Sequence, residues 1–302
     1  MRQPLVTIGI STYNRADSYL PQALDSALAQ TYPNLEVLVS DNCSTDSTPD
    51  LVRSRSSERL RYIRHDRNIG PNNNFNYCLS QARGEYFLLL HDDDQLDSDF
   101  IAACVAALPA QGEVGVVRSG TRMVDADNAV LSSTPNRSAG LSPFELFMSW
   151  FDRKTAFYLC STLYNTRRLR EHGGFNTPKN LFQDVTALAA LATRYGHANV
   201  EGVKASFRRH AANKGSGDSV LDWAEDSLFL LELLTELMPE HAQELREAGL
   251  PYLCRKCYRN ASSIPGPVER WRTMFTLWER FERTYSPFGY ALERLRLDAK
   301  AS

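Results

Sequence analysis

The sequence predicts an α/β protein with a Rossmann-like, mostly parallel sheet and a C-terminal helical extension. Two patterns support this fold class. Over the first hundred residues, strand-like runs alternate with segments of helical spacing, and a βαβ series of this kind forms an open parallel sheet. From about Val220 onward, apolar residues recur at the three- and four-residue spacing of helices. We therefore predict two domains, at residues 1–218 and 219–302.

The first domain contains four predicted strands, at residues 6–11, 36–40, 60–64 and 86–90. The fourth is apolar throughout, which is typical of a strand covered on both faces. The intervening helices are predicted at residues 19–30, in a short segment after the turn-forming residues 44–47, and at residues 72–82. In the first helix, Leu20, Leu24 and Leu28 fall at helical spacing.

The helical extension ends in a predicted amphipathic segment. Between Val268 and Phe281, apolar residues that include two tryptophans recur every three or four positions, with arginines among them. Residues 251–302 contain ten Lys or Arg and five Asp or Glu. Such a stripe suits a helix at an anionic membrane surface, and it also suits packing on the first domain or on a second subunit. We predict that the tail anchors or dimerises the protein and lies outside the functional site.

Composition and motifs exclude several classes of function. The net charge of −2 provides no basic field to attract nucleic acid. Strand-like sequence begins soon after Met1, and no apolar run approaches the ~20 residues that span a bilayer, so we expect a cytoplasmic protein, with peripheral contact at the inner face of the membrane as an option. G-x-G-x-x-G is absent from the first turn and G-x-x-x-x-G-K-[ST] from the whole chain, which argues against a dinucleotide fold and a P-loop ATPase.

Polar clusters follow all four predicted strands. They are residues 12–15, Asp41, residues 65–66 and residues 92–94. In open α/β sheets, ligands bind outside the carboxyl ends of the strands, so the sequence predicts one polar binding edge. The three adjacent carboxylates at residues 92–94 repel one another. We therefore expect a cation there.

Four ordered blocks of the sequence resemble family 2 glycosyltransferases. The first is VTIGISTYNRADSYLPQALDSALAQTYPNLEVLVSDNCSTDST, which begins at Val6, and the second is NIGPNNNFNYCLSQARGEYFLLLHDDD, which begins at Asn68. GGFN at residues 173–176, followed by Gln183 and Asp184, is similar to the family's later segment that ends in the catalytic base. FRRHAANKGS at residues 207–216 resembles the R-x-H-x-x-N-x-S stretch that closes the domain.

The resemblance implies a glycosyltransferase A fold and an inverting, metal-dependent transfer. The donor would be a nucleotide-diphosphate sugar, with UDP- or dTDP-sugars favoured, and the metal would be Mn²⁺ or Mg²⁺. The acceptor would be a hydroxyl group of a glycan or a lipid-linked saccharide. By fold-level analogy, the process would be bacterial surface-polysaccharide assembly. The sequence does not identify the sugar, the linkage or the oligomeric state.

The resemblance also implies site residues, position by position. The donor-binding residues would be Thr12, Tyr13, Asn14, Arg15, Asp41, Asn68, Asp92, Asp93 and Arg208. The metal ligands would be Asp92, Asp93, Asp94 and His210. His91 occupies the place of the first aspartate of the family's D-x-D, so either His91 replaces that contact or Asp92 and Asp94 form a shifted D-x-D. Asp41 would accept from a pyrimidine N3–H, and Arg208 and Lys214 would steady phosphate charge.

Asp184 is predicted to be the catalytic base. It opens a predicted helix at residues 185–195, and the positive end of that helix would keep the carboxylate ionised. The family usually has Glu-Asp at this point, whereas this chain has Gln183 before Asp184. The alternative interpretation of Asp184 is a plain helix N-cap.

Two other function classes remain open. A sugar nucleotidyltransferase would share the sheet and the acidic site, but it should begin with a Gly-rich phosphate loop and a lysine, which residues 10–17 lack. A non-catalytic nucleotide-sugar-binding protein would keep the carboxylates without needing Asp184. Hydrolysis of a nucleotide sugar, compared with that by Asp184→Asn, separates an enzyme from a binding protein.

Overall fold

The structure is a computed structural model that describes residues 3–210 and 219–301. It confirms the predicted fold class, with one mixed sheet joined by helices and a helical C-terminal extension. The strands are β1 (Val6–Thr12), β2 (Leu35–Asp41), β3 (Leu60–Arg64), β4 (Tyr86–His91), β5 (Gln95–Leu96), β6 (Val116–Val124), β7 (Val130–Thr134), β8 (Thr162–Asn165) and β9 (His197–Arg208).

The helices that connect these strands are α1 (Leu20–Leu28), α2 (Thr48–Ser54), α3 (Pro71–Gln81), α4 (Phe100–Ala106), α5 (Pro143–Phe151), α6 (Thr166–Glu171) and α7 (Gln183–Tyr195). The C-terminal helices are α8 (Val220–Leu237), α9 (Ala242–Ala261), α10 (Pro267–Arg280) and α11 (Pro287–Ala301). Short 3-10 helices occur at Leu159–Ser161 and Pro239–His241.

The strands form one sheet in the order β3-β2-β1-β4-β8-β6-β9-β5, with β7 paired to β6. The four predicted strands are confirmed as β1 to β4, and all pairs among them are parallel. β8 runs antiparallel to both β4 and β6 and so joins this parallel part to the rest of the sheet. β9 is parallel to β6.

The position of β4 explains its apolar sequence. It lies between β1 and β8, and Phe87 to Leu90 are fully buried, as a strand covered on both faces requires. Burial of each large apolar side chain contributes about 1.5–3 kcal/mol. Gly9 on β1 permits this packing, because a Cβ at that position would approach the ring of Phe87 to 2.7 Å.

The chain divides into two compact units. The first contains the sheet and comprises residues up to Asn176 together with Ala187–His210. The second comprises Thr177–Thr186 and helices α8 to α11. The predicted boundary near residue 218 placed residues 177–186 in the first domain, and the structure differs at this segment. The reason is that residues 177–182 form hydrogen bonds to Asp226 of α8.

Helices α10 and α11 expose several apolar side chains. Val268, Phe288, Leu292 and Leu295 are all more than half exposed. The ring of Phe288 lies 5.3 Å from that of Trp271, so α11 adds an aromatic ring beside the predicted stripe of α10. Among the described helices, none is both long enough and apolar enough to cross a membrane. Membrane or dimer contact by the tail stays a prediction.

Candidate functional site

The carboxyl ends of β1 to β4 meet at one edge of the sheet. Thr12 at the end of β1 pairs with Asp41 at the end of β2, and Ser11 pairs with His91 at the end of β4. Asp41 pairs in turn with Arg64 at the end of β3. The polar loops that follow these strands therefore start side by side, at one edge of the sheet.

His91, Asp93 and Asp94 form a group that could hold a metal ion, and we call this group the acidic centre. Each residue offers one ligand atom, and these atoms lie within 4.8 Å of one another. Nε2 of His91 is buried and has no hydrogen-bond partner among the described residues. Carboxylate oxygens suit Mn²⁺ and Mg²⁺, and imidazole nitrogen is a common ligand of transition metals. The acidic centre therefore fits a divalent cation.

The pKa values of two carboxyl groups at the acidic centre and beside it are raised, mainly by burial. Burial and the adjacent carboxylate of Asp93 raise the pKa of Asp94 to about 7. Desolvation and the same carboxylate raise the pKa of Asp92 to about 6, although the charges of Arg15 and His91 act in the opposite direction. A cation would favour the ionised forms of both carboxyls. Without a cation, burial therefore opposes the ionised forms of both carboxyls.

Arg208, the last residue of β9, holds the loop that carries the acidic centre. Its backbone N–H donates to Oδ1 of Asp94 at 2.9 Å, and its Nε donates to the carbonyl oxygen of Asp93 at 2.9 Å. Its Nη2 donates to Oε1 of Gln22 at 3.0 Å and to Oδ1 of Asn128 at 2.7 Å. Arg208 is fully buried, and in this structure it organises the loop. Its predicted contact with the donor stays a prediction.

His210 lies beside the acidic centre. Its Nε2 is 2.9 Å from Oδ2 of Asp93, and the centroid of its ring is 5.0 Å from that of Tyr19. The structure therefore brings His210 to a second predicted metal ligand, although no atom of His210 belongs to the three-residue group. Lys214, which was predicted to steady phosphate charge, lies outside the described residues.

The grouping of His91 with Asp93 and Asp94, without Asp92, bears on the two alternatives that the sequence left open. It favours His91 as the replacement for the first aspartate of D-x-D. We expect His91→Phe, which keeps a ring against Phe75, to weaken Mn²⁺ binding by ~10-fold or more, and Asp92→Asn to weaken it less. Calorimetric titration of Mn²⁺ into both variants measures the difference. A greater loss in Asp92→Asn would instead support the shifted D-x-D.

Asn14 joins the loop after β1 to the turn after β2. Its φ is +53°, a conformation that asparagine adopts more readily than most residues. Its N–H donates to Oγ of Ser44 at 2.9 Å, and its Oδ1 accepts from the N–H of Thr45 at 2.7 Å. Asn14 is thus occupied in shaping the loop. The neighbouring Tyr13 is 43% exposed and presents the accessible ring of this loop.

Asp41 is fully buried, which differs from the open position that a contact with a nucleobase would need. Its Oδ1 accepts from the N–H of Ser44 at 2.8 Å, and its Oδ2 accepts from the hydroxyl of Tyr62 at 2.6 Å. Nε of Arg64 lies 3.7 Å from Oδ2. In this structure Asp41 organises the turn after β2. Its predicted contact with a pyrimidine stays a prediction.

Two buried asparagines that sequence reasoning did not single out connect the loops of this edge. Nδ2 of Asn42 donates at 2.9 Å to Oδ1 of Asn68, the predicted donor-binding residue after β3. Asn74 donates from Nδ2 to Oγ of Ser11 at 3.2 Å and accepts at Oδ1 from Oγ of Ser40 at 2.6 Å. The available signal was the run of three asparagines at residues 72–74, but the sequence does not show which of them is buried.

Asp184 lies in the first turn of α7 and is half-buried. The helix begins at Gln183, so Asp184 is inside the helix and not the N-cap that precedes it. An acidic residue in a first turn interacts favourably with the positive end of the helix, as predicted. Asp184 belongs to the second compact unit, whereas the acidic centre belongs to the first. Its role as catalytic base stays a prediction.

The sequence is similar to known glycosyltransferases over part of its length. The family model described as "Glycosyl transferase family 2" matches residues 7–174. The succinoglycan biosynthesis protein ExoO of Rhizobium meliloti is 38% identical over 109 residues, which cover 36% of this chain and 31% of ExoO. Abequosyltransferase RfbV of Salmonella typhimurium is 35% identical over 115 residues, which cover 36% of this chain and 34% of RfbV. The match therefore spans about a third of each of these relatives.

Solved structures share the fold at low sequence identity. The crystal structure of TarS residues 1–349 from S. aureus has a TM-score of 0.71 and 17% identity, with 93% of this chain and 80% of that chain covered. The mannosyltransferase PcManGT from Pyrobaculum calidifontis, solved with GDP-Man and Mn²⁺, has a TM-score of 0.59 and 19% identity, with 93% and 86% covered. At these identities the likeness establishes the fold.

Proposed function

We propose that this chain, which belongs to glycosyl transferase family 2, transfers a sugar from a nucleotide-diphosphate donor to a hydroxyl group of a saccharide acceptor, with inversion at the anomeric carbon. The observation that carries the proposal is the acidic centre. It lies at the carboxyl edge of a parallel sheet, where open α/β sheets bind ligands, and within the residues that the family model matches.

We propose that His91, Asp93 and Asp94 hold a divalent cation, Mn²⁺ or Mg²⁺. The close ligand atoms, the unpartnered Nε2 of His91 and the raised pKa of Asp94 all fit a bound cation. The presence of Mn²⁺ and GDP-Man in the PcManGT structure supports a metal and a donor of this class. When bound, the cation would neutralise charge on the diphosphate as it leaves.

We propose that residues of the loop after β1 contact the nucleotide-sugar donor. Tyr13 presents its ring to solvent at the sheet edge and is available to lie against the nucleobase. The guanidinium of Arg15 is close enough to Asp92 to lower that residue's pKa, so it carries positive charge beside the acidic centre. Arg15 is thus proposed to meet phosphate beside the acidic centre. UDP- and dTDP-sugars stay the favoured donors.

For the transfer itself, we propose that Asp184 takes the proton of the acceptor hydroxyl. The acceptor oxygen forms its bond to the anomeric carbon while the bond from that carbon to the diphosphate oxygen breaks. A positioned carboxylate base contributes ~10² to 10⁴-fold to such a step. The first-turn position of Asp184 supports this role, because the positive end of α7 favours the ionised carboxylate that a base must be.

We propose that the acceptor is a surface polysaccharide under assembly or its lipid-linked precursor. The names of two relatives support this class, since one acts in succinoglycan biosynthesis and the other is an abequosyltransferase. Their sugars are not assigned to this chain, because the shared region is only about a third of each relative. The nucleotide, the sugar and the linkage are therefore left to experiment.

A panel of nucleotide sugars tests the proposed function. We expect one UDP-, dTDP- or GDP-sugar to raise the melting temperature of the protein in Mn²⁺ but not in EDTA, because binding stabilises the folded state. The same compound should release its nucleotide slowly when water replaces the acceptor. Absence of any metal-dependent shift across the panel would overturn the proposal. A shift without nucleotide release, even when saccharide acceptors are added, would favour the non-catalytic binding alternative.

A further inference from the structure

We propose that Asp226 of α8 is a positioning residue that fixes the segment before α7 and, through it, the carboxylate of Asp184. This inference rests on the proposed function, in which Asp184 is the base. It assigns the helical extension a part in catalysis, whereas the sequence predicted that the tail lies outside the functional site. All the residues concerned lie in the second compact unit.

The carboxylate of Asp226 is fully buried and accepts four hydrogen bonds from one short stretch of chain. Its Oδ1 accepts from the N–H of Lys179 at 2.8 Å. Its Oδ2 accepts from the hydroxyl of Thr177 at 2.5 Å, from the N–H of Leu181 at 2.7 Å and from the N–H of Phe182 at 3.4 Å. Both carboxylate oxygens are therefore used to hold residues that end two positions before Asp184.

This stretch needs an external acceptor because it has no regular structure of its own. Residues 178–182 form bends, and Asn180 among them adopts a φ of +57°. Backbone N–H groups that enter no helix or strand ladder must find other partners when they are buried. Asp226 supplies those partners, and a charged acceptor makes the hydrogen bonds stronger than neutral ones. Its loss would leave several donors unsatisfied and free the segment to adopt other conformations.

Side chains of α8 and α9 contact the ring of Phe182. The ring of Phe182 meets that of Trp223 edge to face, with centroids 5.4 Å apart at 89°. Nζ of Lys256, on α9, lies 4.8 Å from the centroid of the same ring. Burial, with a smaller contribution from Arg259, lowers the pKa of Lys256 to about 8, and the charge of Asp184 opposes this change. Lys256 therefore lies within electrostatic reach of the proposed base.

The side chain of Lys179, within the segment, is held as well. Nζ of Lys179 lies 3.3 Å from a carboxylate oxygen of Asp222 and 3.4 Å from one of Glu225. Ion pairs at this degree of exposure contribute little to stability. The buried carboxylate of Asp226 is thus the main anchor. An error of about 1 Å in the position of a catalytic group can lower a rate by ~10²-fold, so anchoring of this kind affects turnover.

Asp226→Asn tests the inference, because asparagine keeps the shape but its amide nitrogen cannot accept a hydrogen bond. In the full chain we expect kcat to fall ~10- to 100-fold while the affinity for the nucleotide sugar in Mn²⁺ stays within about two-fold. Hydrogen exchange of the amides of Lys179, Leu181 and Phe182 should speed up by ~10-fold or more. Glu232→Gln, which removes an exposed charge from the same helix, is the matched control and should change none of these quantities.

A milder pair of variants keeps the test decisive if Asp226→Asn does not fold. Thr177→Val removes one donor to Asp226 and should lower kcat by several-fold, whereas Thr177→Ser retains the hydroxyl and should behave like the unmodified protein. A folded Asp226→Asn or Thr177→Val protein with unchanged kcat would overturn the inference, as would unchanged amide exchange in Asp226→Asn. Absence of turnover by the unmodified protein on every donor and acceptor would count against the proposed function instead, and amide exchange would still decide whether Asp226 anchors the segment.

Discussion

Asp184→Asn is expected to lower kcat for sugar transfer by ~10² to 10⁴-fold while the affinity for the donor changes by no more than a few-fold. The amide is nearly isosteric with the carboxylate, so the first turn of α7 should keep its conformation. It cannot take the proton of the attacking hydroxyl, however, and the barrier to transfer should rise. The loss should therefore appear in kcat, because the substitution removes an interaction that exists in the transition state only.

Steady-state kinetics, with the donor identified in the panel of nucleotide sugars, measures the change in kcat. Calorimetry measures the change in donor affinity. Asp152→Asn is a suitable control, because Asp152 is an exposed acid that pairs only with the nearby Lys154 among the described contacts. A rate near that of the unmodified protein for Asp184→Asn would remove Asp184 from the mechanism. In that case Asp92 and His91, which follow or end β4, would be tested in the same assay.

The fold was largely predictable because its first part is encoded by local patterns. Runs of apolar residues and helical spacing are properties of neighbouring residues, and they placed β1 to β4 within about one residue of their observed bounds. The insertion of the four-residue strand β8 between β4 and β6 was not predicted. Its pairing joins Phe87 to Tyr164, and no local pattern specifies which distant strand fills such a position.

The site was predictable to the extent that its parts follow strands directly. Asp93 and Asp94 are neighbours in the chain and come after a buried strand, so their convergence at the sheet edge followed from the topology. The donation from Arg208 to the carbonyl of Asp93, a residue 115 positions away, was not predicted. The contact between Asp226 and Thr177 spans 49 positions and ties the tail to the segment before α7. Long-range contacts of this kind decide whether a charged side chain faces a ligand or the protein.

The second large effect is expected at the acidic centre, where Asp94→Asn should weaken Mn²⁺-dependent donor binding by ~10²-fold or more, because a ligand of the cation is lost. Asp93→Asn should have a similar effect. The fold should survive in Asp94→Asn. In the unmodified protein the N–H of Arg208 donates to Oδ1 of Asp94 at 2.9 Å, and Oδ1 of asparagine can accept the same hydrogen bond. Asp50→Asn, at a highly exposed acid of α2, is the matched control. Calorimetry measures the donor affinity, and an unchanged affinity in both Asp93→Asn and Asp94→Asn would contradict the metal assignment.

Without metal, the same substitution should make the protein more stable, and the gain should depend on pH. Burial beside Asp93 raises the pKa of Asp94 to about 7, above the value of about 4 that an aspartate has in an unfolded chain. The folded state therefore holds the proton more tightly, and the stability of the unmodified protein declines as pH rises from about 4 to about 7. Asp94→Asn removes that decline. In EDTA, its melting temperature should exceed that of the unmodified protein at pH 8 by more than at pH 5. An equal difference at both pH values would mean that Asp94 is ionised without penalty, and the burial penalty that a cation would offset would then be absent.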